Sequence, residues 1–87
     1  MQKAVFNAEI FREGNLYVGL CCELNVSSFG ETVEEARSSL HEAVELFIEE
    51  CEDMGTLEEV MEEAGFVKEQ GTWMPRKAMV KELLSVG

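Results

Sequence analysis

A helical pattern of apolar residues is the feature that most limits what this 87-residue chain can fold into. From residue 33 to residue 54, apolar side chains recur at alternating intervals of three and four, which places them on one side of an α-helix of about six turns. A stripe of this width has to be buried against another layer, and it is wide enough to cover a small sheet. Its members are Val33, Ala36, Leu40, Ala43, Phe47, Cys51 and Met54, widened by Val44 and Ile48.

Both ends of this helix carry sequence signals. Thr32 is a good N-cap and Glu35 follows three residues later, so the two form the capping box T-x-x-E. Gly30 is expected to permit the turn out of the preceding strand, and Gly55 to end the helix. The structural motif of the junction is therefore Gly30, Thr32, Glu35 and Ala36.

The residues before the helix predict an antiparallel meander of three strands. The first covers residues 4–12, the second covers 16–23, and the EGN turn at 13–15 joins them as a tight hairpin. A third, short strand covers roughly 26–29. One face of the hairpin is expected to lie on the core. The apolar alternation gives the residues of one face of each strand. They are Ala4, Phe6, Ala8 and Ile10 in the first strand, and Leu16, Val18, Leu20 and Cys22 in the second.

A shorter copy of the capped helix follows Gly55. Thr56 and Glu59 repeat the capping box, and Gly65 is placed to be the left-handed residue at the C-terminal end. The expected apolar face of this helix is Leu57, Val60, Met61 and Ala64. Residues 66–75 then predict a hairpin with a glycine turn, with Trp73 as a core or interface aromatic and Pro75 at an edge or strand end.

The last residues, 76–87, fit two structures equally. Met79, Val80, Leu83 and Leu84 match a helical face, and a return to the sheet edge is also compatible with them. The order is β-β-β-α-α-β-β, an α+β domain with the helices on one face of an antiparallel sheet. Residues 1–87 are expected to form a single domain, in which 55–87 add a short helix and a hairpin.

Charge favours a basic partner over nucleic acid. The net charge is −11, and residues 1–67 contain sixteen acidic against three basic residues, whereas residues 68–87 contain two against four. Such a field repels DNA, RNA and anionic membranes. The positive charges near the end, Arg76, Lys77 and Lys81, are too few for strong phosphate binding, so DNA binding by this chain alone is not expected. The first residues contain no long apolar run, which predicts a cytosolic location.

No residue pattern indicates catalysis. Cys21, Cys22 and Cys51 form no disulfide framework, and buried reduced thiols are the expected state. His41 is the single histidine; a nucleophilic pair with a cysteine is conceivable, but an exposed or half-buried helix histidine is the ordinary interpretation. The Glu-Glu pairs at 34–35, 49–50, 58–59 and 62–63 belong to predicted solvent faces. We therefore expect no enzyme, no catalytic residues, no metal site and no cofactor.

The junction resembles that of the HicB-like antitoxin family. The segment 30–36, GETVEEA, matches the pattern G-[DE]-T-x-x-E-A, and Tyr17, Leu40 and Ala43 also agree with the family. The similarity covers about residues 4–54. Two features depart from it: residues 23–26, ELNV, replace the usual Pro-Gly segment, and residues 55–87 contain no DNA-binding module of the helix-turn-helix or ribbon-helix-helix type.

The resemblance implies a β-β-β-α unit like part of the ribonuclease H fold, in a cytoplasmic homo-oligomer, dimer or tetramer. It also implies binding and neutralisation of a small basic RNA-cleaving toxin, HicA. Two alternatives stay open, a stand-alone structural or regulatory oligomer without a toxin and a ribonuclease H-like nuclease. For self-association, the open sheet edges and three apolar side chains are available, those of Trp73, Met74 and Met79.

Overall fold

The computed structural model describes residues 2–87 and confirms the α+β fold. A three-stranded meander is followed by a long helix, a short helix and a C-terminal hairpin. The elements are β1 (Lys3–Ala4), β2 (Glu9–Glu13), β3 (Leu16–Cys21), β4 (Val26–Gly30), α1 (Val33–Met54), α2 (Leu57–Glu63), β5 (Phe66–Glu69) and β6 (Thr72–Pro75).

The meander β2-β3-β4 forms one antiparallel sheet, and its turns follow local chemistry. Glu13 pairs with Leu16 across a two-residue turn, and Gly14 there has φ +60, which glycine adopts without strain. The connection from β3 to β4 closes on Asn25, a non-glycine residue at φ 55. Asparagine tolerates this left-handed conformation better than most residues, so the loop does not need a glycine at this position.

α1 lies on the meander at very short range because two glycines face it. A Cβ on Gly19 would come within 3.0 Å of the Ala36 carbonyl oxygen and 3.1 Å of the Leu40 Cβ. At Gly30 a Cβ would lie 2.6 Å from the Glu35 Cβ and 2.7 Å from the Ala36 nitrogen. The φ of Gly30 is not positive, so the turn out of β4 needs glycine for its missing side chain and not for a left-handed backbone. Gly30 is required because α1 packs directly against its backbone.

On β3 the buried face is the opposite of the one predicted, whereas on β2 Ile10 lies on the side that faces α1, as expected. Gly19 and Cys21 point to α1 and are buried, whereas Leu16 and Cys22 are exposed and Val18 is half-buried. Only small residues fit beneath a helix at this distance, so the larger aliphatic side chains of β3 have to lie on the other face. Cys21 and Cys22 do point to opposite faces, as a strand requires.

The two ends of α1 are set as its sequence predicts, but its buried stripe is shifted. The Thr32 hydroxyl oxygen accepts a hydrogen bond from the Glu35 N–H at 3.0 Å, and Gly55 ends the helix at φ 73. Val33 and Met54 are exposed, because a helix of 22 residues is about 33 Å long and overhangs strands of five or six residues. The buried row is Ala36, Leu40, Val44, Ile48 and Cys51.

The predicted first strand is divided between two sheets. Residues 5–8 leave the ladder; β1 pairs in parallel with β6, and the second sheet has the order β1-β6-β5. The single antiparallel sheet expected from the sequence is therefore wrong. The Trp73 indole N–H donates to the Gln2 side-chain oxygen at 3.0 Å, and the Val5 N–H donates to the Trp73 carbonyl at 2.8 Å. These bonds hold residues 2–5 against the hairpin of β5 and β6. They also give the indole N–H of Trp73, a residue that is only 2% exposed, a hydrogen-bond acceptor.

One hydrophobic core connects both sheets. α2 contributes Leu57 and Met61, and β5 and β6 contribute Phe66 and Trp73. Trp73 is thus a core residue and is not available for self-association. The core is completed from the meander and α1 by Cys21, Leu40, Val44, Ile48 and Cys51.

Two expectations for the C-terminal third are corrected. The Thr56 side chain makes no capping hydrogen bond to α2; its hydroxyl donates to the Cys51 carbonyl at 3.5 Å, which turns it away from the helix start. Gly65 does follow α2 in the left-handed conformation, at φ +94. Residues 76–87, called the tail below, form neither the helix nor the strand that the sequence allowed, and every side chain in them is exposed.

The contact at Gly30 can be tested by adding one methyl group. Gly30→Ala should lower the free energy of unfolding by about 1–3 kcal/mol, because its neighbours within 3 Å are mostly backbone atoms of α1, which cannot rotate away. The measurement is the urea midpoint followed by circular dichroism. Ser27→Ala, at an exposed position of the same strand, is the matched control and should change the value by less than about 0.5 kcal/mol. Equal effects would contradict the packing described here.

Candidate functional site

The side of the meander that faces away from α1 is an apolar surface without a cover. The strand register places Phe11, Val18 and Phe29 in one row across the three strands. Phe29 is 66% exposed and Phe11 is 49% exposed. We call this surface the outer sheet face; its apolar members are Phe11, Leu16, Val18, Leu20 and Phe29. Uncovered apolar surface of this kind is a candidate interaction site.

Carboxylates flank the outer sheet face. Alternation along β2 puts Glu9 and Glu13 on the same side as Phe11, and they pair in register with Leu20 and Leu16. Both glutamates are exposed. The surface therefore combines apolar side chains with negative charge, and favours a partner that is apolar and basic.

The helical side of the molecule has a different character, because it is almost uniformly acidic. α1 and α2 together contain twelve of the eighteen acidic residues, and Arg37 is their single basic residue. Ten of the twelve are exposed, including all four predicted Glu-Glu pairs. Neither helix has a basic residue in its last turn to offset the negative end of its dipole. The helices thus carry most of the acidic residues of the chain, and we call their exposed side the acidic helical face.

The three cysteines have two different environments. Cys21 and Cys51 are buried free thiols of the core, as expected, and burial raises the pKa of Cys21 to about 11. Cys22 is exposed, which corrects the expectation that all three are buried. Its thiol donates to the Glu9 carboxylate at 2.9 Å, and this hydrogen bond is the main cause that raises the Cys22 pKa. A thiol with a raised pKa is a poor nucleophile at neutral pH.

His41 is exposed on α1, in agreement with its ordinary interpretation. It lines an open cavity of about 280 Å³ between α1 and residues 2–6, together with Lys3 and Glu45. Among the described residues, no cysteine lines this cavity, so His41 meets no thiol there. Sequence reasoning missed the cavity because the apolar alternation assigned Ala4 and Phe6 to the first strand of the meander, whereas β1 pairs with β6.

The structure separates the residues of the weakly basic C-terminal region. Trp73 is buried, and the Lys68 ammonium lies 5.4 Å from the centre of its ring, which is a cation–π contact. Arg76, Lys77 and Lys81 lie in the exposed tail. Trp73 is therefore not presented with these cations as a stacking surface for nucleic-acid bases.

Within residues 2–87, no three His, Cys, Asp or Glu side chains converge in a group that could hold a metal ion. Over the same range, neither helix combines the length and the apolar character needed to cross a membrane.

Comparison with family models, with curated proteins and with solved structures finds no match for this chain. The HicB-like resemblance accordingly stays a prediction based on the junction at residues 30–36 and on the strands before it.

The pairing of Cys22 with Glu9 predicts how the thiol reacts. Glu9→Gln removes the carboxylate that stabilises the neutral thiol, so the Cys22 pKa should fall and more thiolate should be present at pH 8. Alkylation by iodoacetamide, followed by mass spectrometry, should become faster than in the wild-type protein. Glu13→Gln, on the same face of the same strand, is the control and should leave the rate unchanged. Labelling of Cys21 or Cys51 before Cys22 would contradict the burial pattern.

Proposed function

We propose that this chain is a non-enzymatic, HicB-like antitoxin-type protein that binds and neutralises a small basic RNA-cleaving toxin of the HicA kind. The acidic helical face is the proposed binding surface. The observation that carries the proposal is the concentration of twelve acidic residues and one basic residue on two adjoining helices.

The physical reason is competition with RNA. A protein that cleaves RNA has to hold its phosphates with basic side chains, and a dense carboxylate surface is attracted to the same side chains. Adjacent exposed pairs such as Glu58–Glu59 and Glu62–Glu63 repeat the negative charge along one short helix. Opposite fields also accelerate association, so capture of the toxin would be fast and would weaken as salt is added.

The architecture agrees with this proposal in the region of the resemblance. A meander leads through Gly30 and Thr32 into a capped helix, which is the β-β-β-α order that the family resemblance implies. We place the protein in the cytoplasm, where an RNA-cleaving toxin finds its substrate.

A second candidate function is a stand-alone oligomer with a structural or regulatory role and no toxin. The exposed outer sheet face favours it, because monomeric proteins rarely leave several large apolar side chains together in solvent. Self-association, as a dimer or tetramer, is compatible with both candidates.

The binding surface can be tested with two variants of equal net charge. The helical variant changes Glu49, Glu50, Glu58 and Glu59 to glutamine, and each of these residues is exposed. The comparison variant changes four acids of the strands and loops to glutamine, namely Glu9, Glu13, Glu23 and Glu69. The proposal predicts a small basic protein encoded beside this chain's gene, and association with that protein is measured by stopped flow at low salt; absence of such a gene would contradict the proposal.

The helical variant should associate about tenfold more slowly or worse, because steering by a local field is worth about 10–10³ in rate. Cells that express the helical variant should also lose protection against the toxin in a growth assay. The association rate of the comparison variant should stay within about threefold of the wild-type rate. Equal loss in both variants would mean that net charge alone matters and would contradict a helical binding face. Unaltered rates in both would exclude electrostatic capture.

A further inference from the structure

The tail has the composition of a docking helix, although it forms no helix and none of its side chains is buried. Its apolar side chains are almost fully exposed, among them Met79, Leu83 and Leu84. Met79, Val80, Leu83 and Leu84 would share one side of a helix, with Lys77 and Lys81 one turn apart at its border. A segment of this kind folds when an apolar surface is available to cover it.

Such a surface exists in the same chain, but within one molecule the tail reaches only its end and leaves its apolar row uncovered. Lys81 lines a cavity of about 430 Å³ together with Glu9, Cys22 and Glu23, at the end of the outer sheet face. Beyond this point Leu83 is fully exposed, and Phe29 across the sheet is 66% exposed. Each chain therefore has one uncovered apolar face and one uncovered apolar segment.

We propose that two copies of this chain exchange their tails, each tail folding as an amphipathic helix on the outer sheet face of the other copy. The apolar side of the tail would cover Phe11, Val18 and Phe29, and its lysines would meet Glu9 and Glu13. Exchange in both directions gives a symmetric dimer with two identical contacts. The inference rests on the self-association proposed above and is independent of any basic partner.

Charge decides between tail exchange and direct contact of two sheets. Residues 1–67 have a net charge of −13, from sixteen acidic and three basic residues. Two outer sheet faces packed together would bring the carboxylates of Glu9 and Glu13 against those of the other copy, which is repulsive. Residues 76–87 have three basic and one acidic residue, so the tail supplies the opposite charge to the same carboxylates.

The experiment uses two full-length charge-reversal variants, which are examined alone and mixed. The tail variant is Lys77→Glu with Lys81→Glu, and the face variant is Glu9→Lys with Glu13→Lys. Each variant alone places like charges at both contacts, whereas the mixture restores opposite charges at both contacts of a heterodimer. All four positions are exposed, so the fold should tolerate the changes. Molar mass is measured by sedimentation equilibrium at micromolar concentration.

The wild-type protein should be a dimer. For each charge variant alone, the dissociation constant of the dimer should rise at least about tenfold, because several exposed ion pairs become repulsive. The mixture should recover the wild-type dissociation constant. The matched control for the apolar contact replaces two exposed apolar residues of α1, Leu46→Glu with Met54→Glu, and should leave the dimer intact. The corresponding tail variant, Leu83→Glu with Leu84→Glu, should be monomeric.

Three outcomes would overturn the inference. A monomeric wild-type protein would show that the tail does not join two copies, and would also remove the oligomer proposed above. A wild-type dimer that survives both charge variants would keep self-association but assign it to another surface. Two variants that weaken the dimer but fail to recover on mixing would exclude pairing between these lysines and these glutamates.

Discussion

The close approach of α1 to the backbone of β3 and β4 is the contact on which the remaining structure depends. Gly19 and Gly30 leave room for Ala36 and for the first turns of α1 at distances that no side chain on those strands would permit. This contact places Leu40 in the core, and burial of such a side chain is worth about 1.5–3 kcal/mol. It also sets the position of Cys51, through which the core continues to α2 and to Trp73.

The same contact determines the two surfaces that the molecule presents. Gly19 and Gly30 lie beneath α1, and the row of Phe11, Val18 and Phe29 lies on the other side of the meander, where Phe11 and Phe29 are exposed. Since α1 buries only a narrow row of positions, most of its remaining circumference is free to carry glutamate. One side of the protein is thus apolar and bordered by Glu9 and Glu13, and the other is an anionic helical layer. The first suits self-association, and the second suits capture of a basic protein.

Local chemistry made much of this fold predictable, and long-range pairing limited the remainder. The start of α1 at Thr32 and its end at Gly55 each depend on a few neighbouring residues, and sequence reveals them. β1 and β6 are two short strands at opposite ends of the chain, in which Lys3 pairs with Thr72 and Ala4 with Trp73, so no local pattern in the sequence reveals their pairing. Alternation along β3 divided its residues correctly into two faces. It could not identify the buried one, because that depends on the distance of a helix that lies elsewhere in the sequence.

Amide hydrogen exchange, followed residue by residue by NMR, tests this account most directly. Stability is not uniform in a fold, and the amides that exchange slowest open only when the whole structure unfolds. If the contact between α1 and the glycine-bearing strands holds the fold together, the slowest amides lie in the middle of α1, around Leu40 to Ile48, and in β3. Slowest exchange in the hairpin of β5 and β6, with early opening of α1, would contradict the account.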